Sequence, residues 1–213
     1  MRSERRGAHA FAVNALRSVR PALAALVTFA SPIMGAGVAG AEPPAAAVCA
    51  ACHGEAGRSV APIFPNLASQ PAEYLQKQLA DFAKGRRMNE VMTPALAQVP
   101  RSDFPILVAY YSAQAPAPGK NGDAALAAVG RKIFEEGDWP VGIPPCRSCH
   151  GENGAGSGRY PRLAGQNPAY TLQQLTDFKA SARHNDTRRV MREVAGRLTD
   201  AQMKALAEYL AAL

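Results

Sequence analysis

The sequence predicts an all-α protein made of two tandem domains that share one architecture. One sequence pattern is written twice, with its two copies 97 positions apart, which indicates an internal repeat. Within both copies apolar residues recur at the spacing of an amphipathic helix, and no stretch alternates with the period of two that a half-buried strand requires. With 47% apolar and 19% charged residues, the composition is typical of a globular protein.

Residues 1–41 are predicted to be a signal peptide. Five arginines precede an uncharged run over 21–41, and this run ends in Ala39-Gly40-Ala41, which matches an A-x-A cleavage pattern. A retained membrane anchor is the alternative, because the run is about long enough to span a bilayer. Pro32 and the small residues that follow it favour cleavage. The exported protein is expected in the periplasm.

Much of the positive charge lies in this N-terminal segment. Removing residues 1–41 removes five Arg and one Glu, so the net charge falls from +7 to +3. The remaining chain shows no interleaving of basic and aromatic residues of the kind that binds nucleic acid. Nucleic acid is therefore excluded as an expected partner.

The first domain is predicted to cover residues 42–114. Apolar side chains fall on one face of a helical stretch over 74–82, and an apolar helix that holds Tyr110 closes the copy. In chain order, the pattern consists of Cys49-Ala-Ala-Cys52-His53-Gly54, a Gly-rich loop, Pro65-Asn-Leu-Ala-Ser-Gln70, the helix, Met92 and the closing helix.

A segment rich in Pro, Gly and Asn, residues 115–123, is predicted to be a linker to the second domain, residues 124–213. Thr199-x-x-Gln202 predicts a capping-box start for the last helix. The repeated pattern consists of Cys146-Arg-Ser-Cys149-His150-Gly151, Pro161-Arg-Leu-Ala-Gly-Gln166, a helix over 170–178, Met191 and a last helix with Tyr209.

The two Cys-x-x-Cys-His motifs predict two covalently attached haem c groups. Two thiols three residues apart can bond to the two vinyl groups of one haem, and the adjacent His supplies an imidazole to the iron. A zinc site and a disulfide framework are the alternatives, but neither requires a His directly after the second Cys. Each domain is small enough that a polypeptide core alone is marginal, and a buried flat cofactor would enlarge it.

The sixth iron ligand is sought among the methionines, because the motifs use all four cysteines. Met92 stands 18 residues before Tyr110, and Met191 stands 18 before Tyr209. This agreement between the two copies predicts Met92 and Met191 as ligands, with His53 and His150 on the other side of each iron.

Three other side chains compete for this role. Met88 and His184 occupy matching positions in the two copies and are reserve candidates, whereas Met203 falls on the apolar stripe of the last helix and is expected to be a core residue. His/Met ligation fills both axial positions of the iron. It therefore favours electron transfer over chemistry on a substrate bound to the metal.

The doubled order C-x-x-C-H-G, P-x-L-A-x-Q, Tyr, Q-L-x-D-F, R-x-N, Met and an A-x-Y helix, after a signal peptide, resembles the dihaem cytochrome c4 family. The resemblance covers essentially all of the chain after residue 41. It implies thioether bonds at Cys49, Cys52, Cys146 and Cys149. It also implies that the carbonyl oxygens of Pro65 and Pro161 accept the Nδ1 proton of the ligating histidines.

The same resemblance implies a periplasmic electron carrier that can associate peripherally with the membrane. Its expected donor is a quinol-oxidising complex or a dehydrogenase, and its expected acceptor is a terminal oxidase. Two alternatives differ in class: the cytochrome subunit of a periplasmic dehydrogenase complex, and a dihaem peroxidase or thiosulfate-oxidising enzyme. The enzymes would need an open iron or a special His or Cys ligand, and the equivalent methionines and the lack of a spare Cys weigh against them.

Overall fold

The computed structural model describes residues 41–213, so the predicted signal peptide lies outside it except for Ala41. Within this range the chain forms nine α-helices and only two isolated β-bridges, which confirms the all-α prediction. No helix among residues 41–213 is long and apolar enough to cross a membrane. The helices are α1 (Ala46–His53), α2 (Ala72–Ala83), α3 (Met92–Leu96), α4 (Phe104–Ser112), α5 (Ala124–Glu136), α6 (Arg147–His150), α7 (Pro168–Lys179), α8 (Val190–Arg197) and α9 (Asp200–Ala212).

The first of two hydrophobic cores is built by α1 to α4. Leu75 and Phe82 stand seven residues apart and lie on the same face of α2, which they turn towards Leu107 and Tyr111 of α4. Leu96 of α3 closes the core, and it is 5% exposed. These contacts explain why the apolar positions of the first copy predict helices correctly.

The second core forms where α5 and α9 cross. Phe134 is fully buried there, and Gly130 lies where the two backbones come closest. A Cβ atom on Gly130 would lie 2.0 Å from the carbonyl oxygen of Ala205, so the crossing requires a residue without a side chain. Thr199 and Gln202 form the predicted capping box at the start of α9, with the Thr199 N–H donating to Gln202 Oε1 at 2.9 Å.

The segment between α4 and α5 lies along α9. The backbone N–H of Lys120 donates to the carbonyl of Ala211 at 2.7 Å, and the backbone N–H of Asp123 donates to Glu208 at 3.2 Å. Asp123 also accepts from the first backbone N–H groups of α5 and caps that helix. The segment predicted as a linker is thus held against the second domain.

The two domains meet through two arginines in equivalent positions of the repeat. Arg87 donates to Tyr170 at 3.2 Å and to Gln174 at 2.9 Å, both in the second domain. Arg183 makes the equivalent contacts in the opposite direction, because it donates to Tyr74 at 3.3 Å and to Gln78 at 3.2 Å in the first domain. Each guanidinium stacks on the nearby phenylalanine of its own domain, Phe82 at 4.7 Å and Phe178 at 4.5 Å.

A buried carboxylate adds a second set of contacts between the domains. Asp81 is 2% exposed and accepts hydrogen bonds from Lys77, from Arg86 at 2.8 Å and from Asn185 of the second domain at 2.8 Å. Burial alone would raise the pKa of Asp81, but the hydrogen bonds from Lys77, Asn185 and Arg86 outweigh burial and lower that pKa below 3.8.

We expect Asp81→Asn to lower the free energy of unfolding by about 1 to 3 kcal/mol at neutral pH, because strong hydrogen bonds to a charged acceptor are lost. The folded-state pKa of Asp81 lies below the unfolded value, so its stabilisation is present above the ordinary Asp value of 3.8 and is lost as the pH falls through the folded pKa. Denaturant unfolding of both proteins at neutral and at strongly acidic pH checks this. An Asn185→Ser control should show a smaller loss, and a loss for Asp81→Asn that does not shrink in acid would contradict the assignment.

Candidate functional site

The first Cys-x-x-Cys-His motif forms α1. Cys49 and Cys52 are three residues apart, so they lie on one side of this helix, and His53 is its last residue and is 7% exposed. Gly54 ends the helix at a φ of 73°, and a Cβ there would lie 2.2 Å from the carbonyl oxygen of Arg58. The motif therefore needs glycine after the histidine for the chain to turn.

The imidazole of His53 is oriented by the loop that follows. Its Nδ1 lies 2.9 Å from the carbonyl oxygen of Pro65. Because a carbonyl can only accept, Nδ1 carries the proton and Nε2 keeps a free lone pair. Burial lowers the pKa of His53, which keeps the ring neutral, and the ring of Phe64 stands edge-on at 6.4 Å. A neutral, oriented imidazole is the form that binds a metal.

The second motif repeats this geometry. Cys146 directly precedes the short helix α6, Cys149 lies within it, and His150 is its last residue and is 7% exposed. His150 Nδ1 lies 3.0 Å from the carbonyl oxygen of Pro161, and burial lowers the pKa of His150. Tyr160 takes the place of Phe64, with its ring edge-on to the imidazole at 6.1 Å.

No disulfide bond joins any two of the four cysteines in the structure. Burial raises the pKa of the Cys49 thiol and raises that of Cys146 to about 11. Zinc binds thiolates, and residues 41–213 contain no group of three or more His, Cys, Asp or Glu side chains that could hold a metal ion.

The two predicted methionine ligands occupy equivalent positions, each in the first turn of a short helix. Met92 is the first residue of α3, where Asn89 Oδ1 accepts its backbone N–H at 2.8 Å, and it packs against the same core as Cys49. Met191 is the second residue of α8 and is half-buried. The ligand role of both remains a prediction.

The three side chains that compete with Met92 and Met191 for the ligand role differ from them in exposure. Met88 is 65% exposed and His184 is also exposed, whereas Met203 is 2% exposed in the core of the second domain. The expectation that Met203 is a core residue therefore agrees with its position in the structure.

The residues present fit a covalently attached haem in each domain. Each domain offers two thiols three residues apart, a neutral imidazole held by a backbone carbonyl, and one thiol that packs against an apolar core, Cys49 in the first domain and Cys146 in the second. A flat apolar group bonded to these thiols would extend a core that is small in each domain.

Two side chains near the site carry no role in the sequence analysis. Gln70 and Gln166, the last residues of the two P-x-L-A-x-Q stretches, are each 5% exposed and reach into the opposite domain. Their repetition at one position of the pattern is the signal in the sequence, but its meaning depends on contacts between domains that the sequence does not show.

Comparison with known proteins gives consistent matches. The cytochrome c family matches residues 38–107 and 127–213. Cytochrome c4 of Thiocapsa roseopersicina is 42% identical over 187 residues, covering 86% of this chain and 96% of that protein. The crystal structure of reduced recombinant cytochrome c4 from Pseudomonas stutzeri is similar with a TM-score of 0.75 and 40% identity, over 79% of this chain and 94% of that chain.

One further relative is named for the enzyme from which it accepts electrons. The thiosulfate dehydrogenase electron acceptor of Thiomonas intermedia is 41% identical over 176 residues, covering 81% of this chain and 81% of that protein. The similarity thus extends to both haem-attachment motifs and to most of the length of each relative.

Proposed function

Since this chain belongs to the cytochrome c family, as a dihaem cytochrome c4, we propose that it carries single electrons between redox proteins of the periplasm. It binds two covalently attached haem c groups, whose irons supply the one-electron couples. In this proposal the two haems are attached at the two motifs of domains 42–114 and 124–213. The thioether bonds form at Cys49, Cys52, Cys146 and Cys149, and the iron ligands are His53, Met92, His150 and Met191.

One observation carries the proposal: both domains present the same set of groups. Each has a buried neutral histidine held by a proline carbonyl, and each has a methionine in the first turn of a short helix. His53 with Met92, and His150 with Met191, would hold the two irons and leave neither a position for a substrate, and a Met ligand would raise the reduction potential relative to a second His. These features favour an electron carrier over an enzyme.

Carbon monoxide tests the ligation directly. We expect the visible spectrum of the dithionite-reduced protein to be unchanged when carbon monoxide is added, because both irons hold six ligands. Absorbance before and after addition of the gas checks this. Binding of carbon monoxide to one of the two haems would contradict the proposal and would support a catalytic or sensing function for that domain.

Substitution of each methionine in turn tests whether it ligates an iron. We expect Met92→Leu and Met191→Leu each to open one haem, so that each variant binds about one carbon monoxide per protein, since leucine cannot ligate iron. Met203→Leu is the matched control, because Met203 is a buried core residue and should leave both haems closed. Carbon monoxide titration of the three reduced variants is the measurement. Gas binding by Met88→Leu, with Met92→Leu closed, would assign the first ligand to Met88 instead.

The predicted signal peptide and the family support a proposal for the location and the partners. Cleavage after residue 41 would deliver the protein to the periplasm, where it can also associate peripherally with the membrane. We propose a quinol-oxidising complex or a dehydrogenase as donor and a terminal oxidase as acceptor. Cell fractionation and N-terminal sequencing test the export, and reduction and oxidation by purified membranes test the partners.

A second candidate function is supported by one class of relatives. Proteins described as thiosulfate dehydrogenase electron acceptors are about as similar to this chain as the cytochromes c4 are. In this alternative the chain accepts electrons from a dehydrogenase within a complex. Stopped-flow mixing with a thiosulfate dehydrogenase and thiosulfate distinguishes the two, since a dedicated acceptor should be reduced rapidly and a carrier for other donors should not.

A further inference from the structure

Each domain inserts a glutamine into the loop that orients the histidine of the other domain. Gln166 Oε1 accepts the backbone N–H of Asn66 at 2.8 Å, and Gln166 Nε2 donates to the carbonyl of Asn66 at 3.1 Å. In the opposite direction, Gln70 Oε1 accepts the N–H of Arg162 at 3.0 Å, and Gln70 Nε2 donates to the carbonyl of Arg162 at 2.8 Å. Both glutamines are 5% exposed, so water does not compete for these bonds.

These contacts fall on the peptide group that holds the histidine. The carbonyl of Pro65 and the N–H of Asn66 belong to one peptide unit; the carbonyl accepts from His53 Nδ1, and the N–H donates to Gln166. In the second domain, the carbonyl of Pro161 accepts from His150, and the N–H of the same peptide unit donates to Gln70. Each histidine is therefore joined to the opposite domain through a single polarisable peptide.

Hydrogen bonds in such a chain strengthen one another. An acceptor on the N–H side of a peptide increases the negative charge on its carbonyl oxygen, which then attracts the histidine proton more strongly. An imidazole whose Nδ1 proton is attracted in this way is a more basic ligand, and a more basic ligand favours oxidised iron. A neutral side chain in one domain can thus lower the reduction potential in the other.

We propose that Gln70 and Gln166 are positioning residues that set the reduction potential of the haem in the opposite domain. This inference rests on the proposed function, because it requires His53 and His150 to be iron ligands. The effect is crossed: Gln166 acts on the first haem, and Gln70 acts on the second. Docking of the two domains is then part of the environment of each haem.

The test uses the full-length holoprotein with Gln166→Met and Gln70→Met, which keep the length of the side chain and remove its amide. Gln166→Met should raise the reduction potential of the first haem, and Gln70→Met should raise that of the second. In each variant the equilibrium constant for reduction of the affected haem should increase several-fold, while that of the other haem should change less. A tenfold change corresponds to 59 mV for one electron. Gln98→Met is the control on an exposed glutamine, and it should move neither potential.

Each potential is assigned to its domain by NMR during a redox titration. The signal of each ligating methionine follows its own haem, and Met92→Leu and Met191→Leu remove these signals one at a time. A shift confined to the domain that carries the substitution, or an equal shift of both haems, would overturn the proposal.

Hydrogen exchange supplies a second readout that does not depend on the iron. In Gln166→Met the backbone amide of Asn66 should exchange faster, because it loses its acceptor, while the amide of Tyr170 should stay protected. The Tyr170 N–H donates across the same interface to the carbonyl of Pro62 at 3.2 Å, so it reports whether the domains have separated. Loss of protection at Tyr170 together with Asn66 would show a general opening of the interface and would overturn the specific role of Gln166.

The outcomes separate the failure of this inference from failure of the proposed function. If the unsubstituted protein binds carbon monoxide or lacks two one-electron couples, the proposed function is wrong. If neither haem binds carbon monoxide, both haems are reduced and oxidised reversibly, and the glutamine variants leave both reduction potentials unchanged, only the inference is wrong.

Discussion

Serine at both Cys146 and Cys149 should yield a protein that carries one haem instead of two. The two thiols are the only attachment points in the second domain, because all four cysteines of the chain lie in the two motifs. Without covalent attachment, the haem of that domain would be held by noncovalent contacts and iron ligands alone, and we expect it to be lost during purification. Intact-protein mass spectrometry, which counts attached haems, is the measurement.

The same double substitution should also destabilise the second domain. Cys146 packs against a core that contains Ile133, Phe134 and Leu206, and a haem attached there would enlarge this small core. Thermal unfolding should therefore show an early transition that the unsubstituted holoprotein lacks. The mirror variant, Cys49→Ser with Cys52→Ser, is the matched control and should retain only the second haem. Two attached haems in either variant would disprove the assignment of the thioether bonds.

Gly130→Ala should cost about 3 kcal/mol in the free energy of unfolding, at the upper end of the range for overpacking. The added Cβ would lie 2.0 Å from the carbonyl oxygen of Ala205 and 2.9 Å from the Cβ of Tyr209, and neither atom is the end of a flexible side chain. To relieve this clash α5 and α9 would have to separate. The cost is large because these two helices form the largest helix contact of the second domain. Chemical denaturation followed by circular dichroism measures the loss.

Gly196→Ala provides the matched control for this substitution. Gly196 is also a helical glycine, in α8, but a Cβ there meets no atom within 4 Å. The control should be neutral or should stabilise the protein by about 0.5 kcal/mol, because alanine reduces the entropy of the unfolded chain. Equal destabilisation by the two substitutions would contradict the role of the close approach of α5 and α9, because alanine by itself favours a helix more than glycine does.

The helices and the attachment motifs could be predicted from the sequence because their signals are local. The capping box at Thr199 and Gln202 and the apolar face of α2 depend on residues within one or two turns. The doubled pattern also identified the family correctly, since two copies of one long pattern are far more specific than a single motif.

Contacts between distant parts of the repeat could not be predicted. Gln70 and Gln166 stand in a polar stretch that reads as a loop, and only the folded chain brings each of them to a backbone nearly 100 residues away. The docking of the linker on α9 is similar, because Lys120 bonds to a backbone carbonyl whose position does not depend on the local sequence.

The short linker on α9 also determines how strongly the domain interface has to bind. A tether of nine residues, 115–123, that is already held on one domain keeps the other at an effective concentration in the millimolar range or above. An interface with an intrinsic dissociation constant of about 1 mM, equivalent to roughly 4 kcal/mol, is then enough to remain closed for much of the time. Hydrogen bonds such as those that Gln70 and Gln166 make to the backbone of the opposite domain can supply an affinity of this size. The interface can therefore stay closed without the large apolar area that two untethered partners would need.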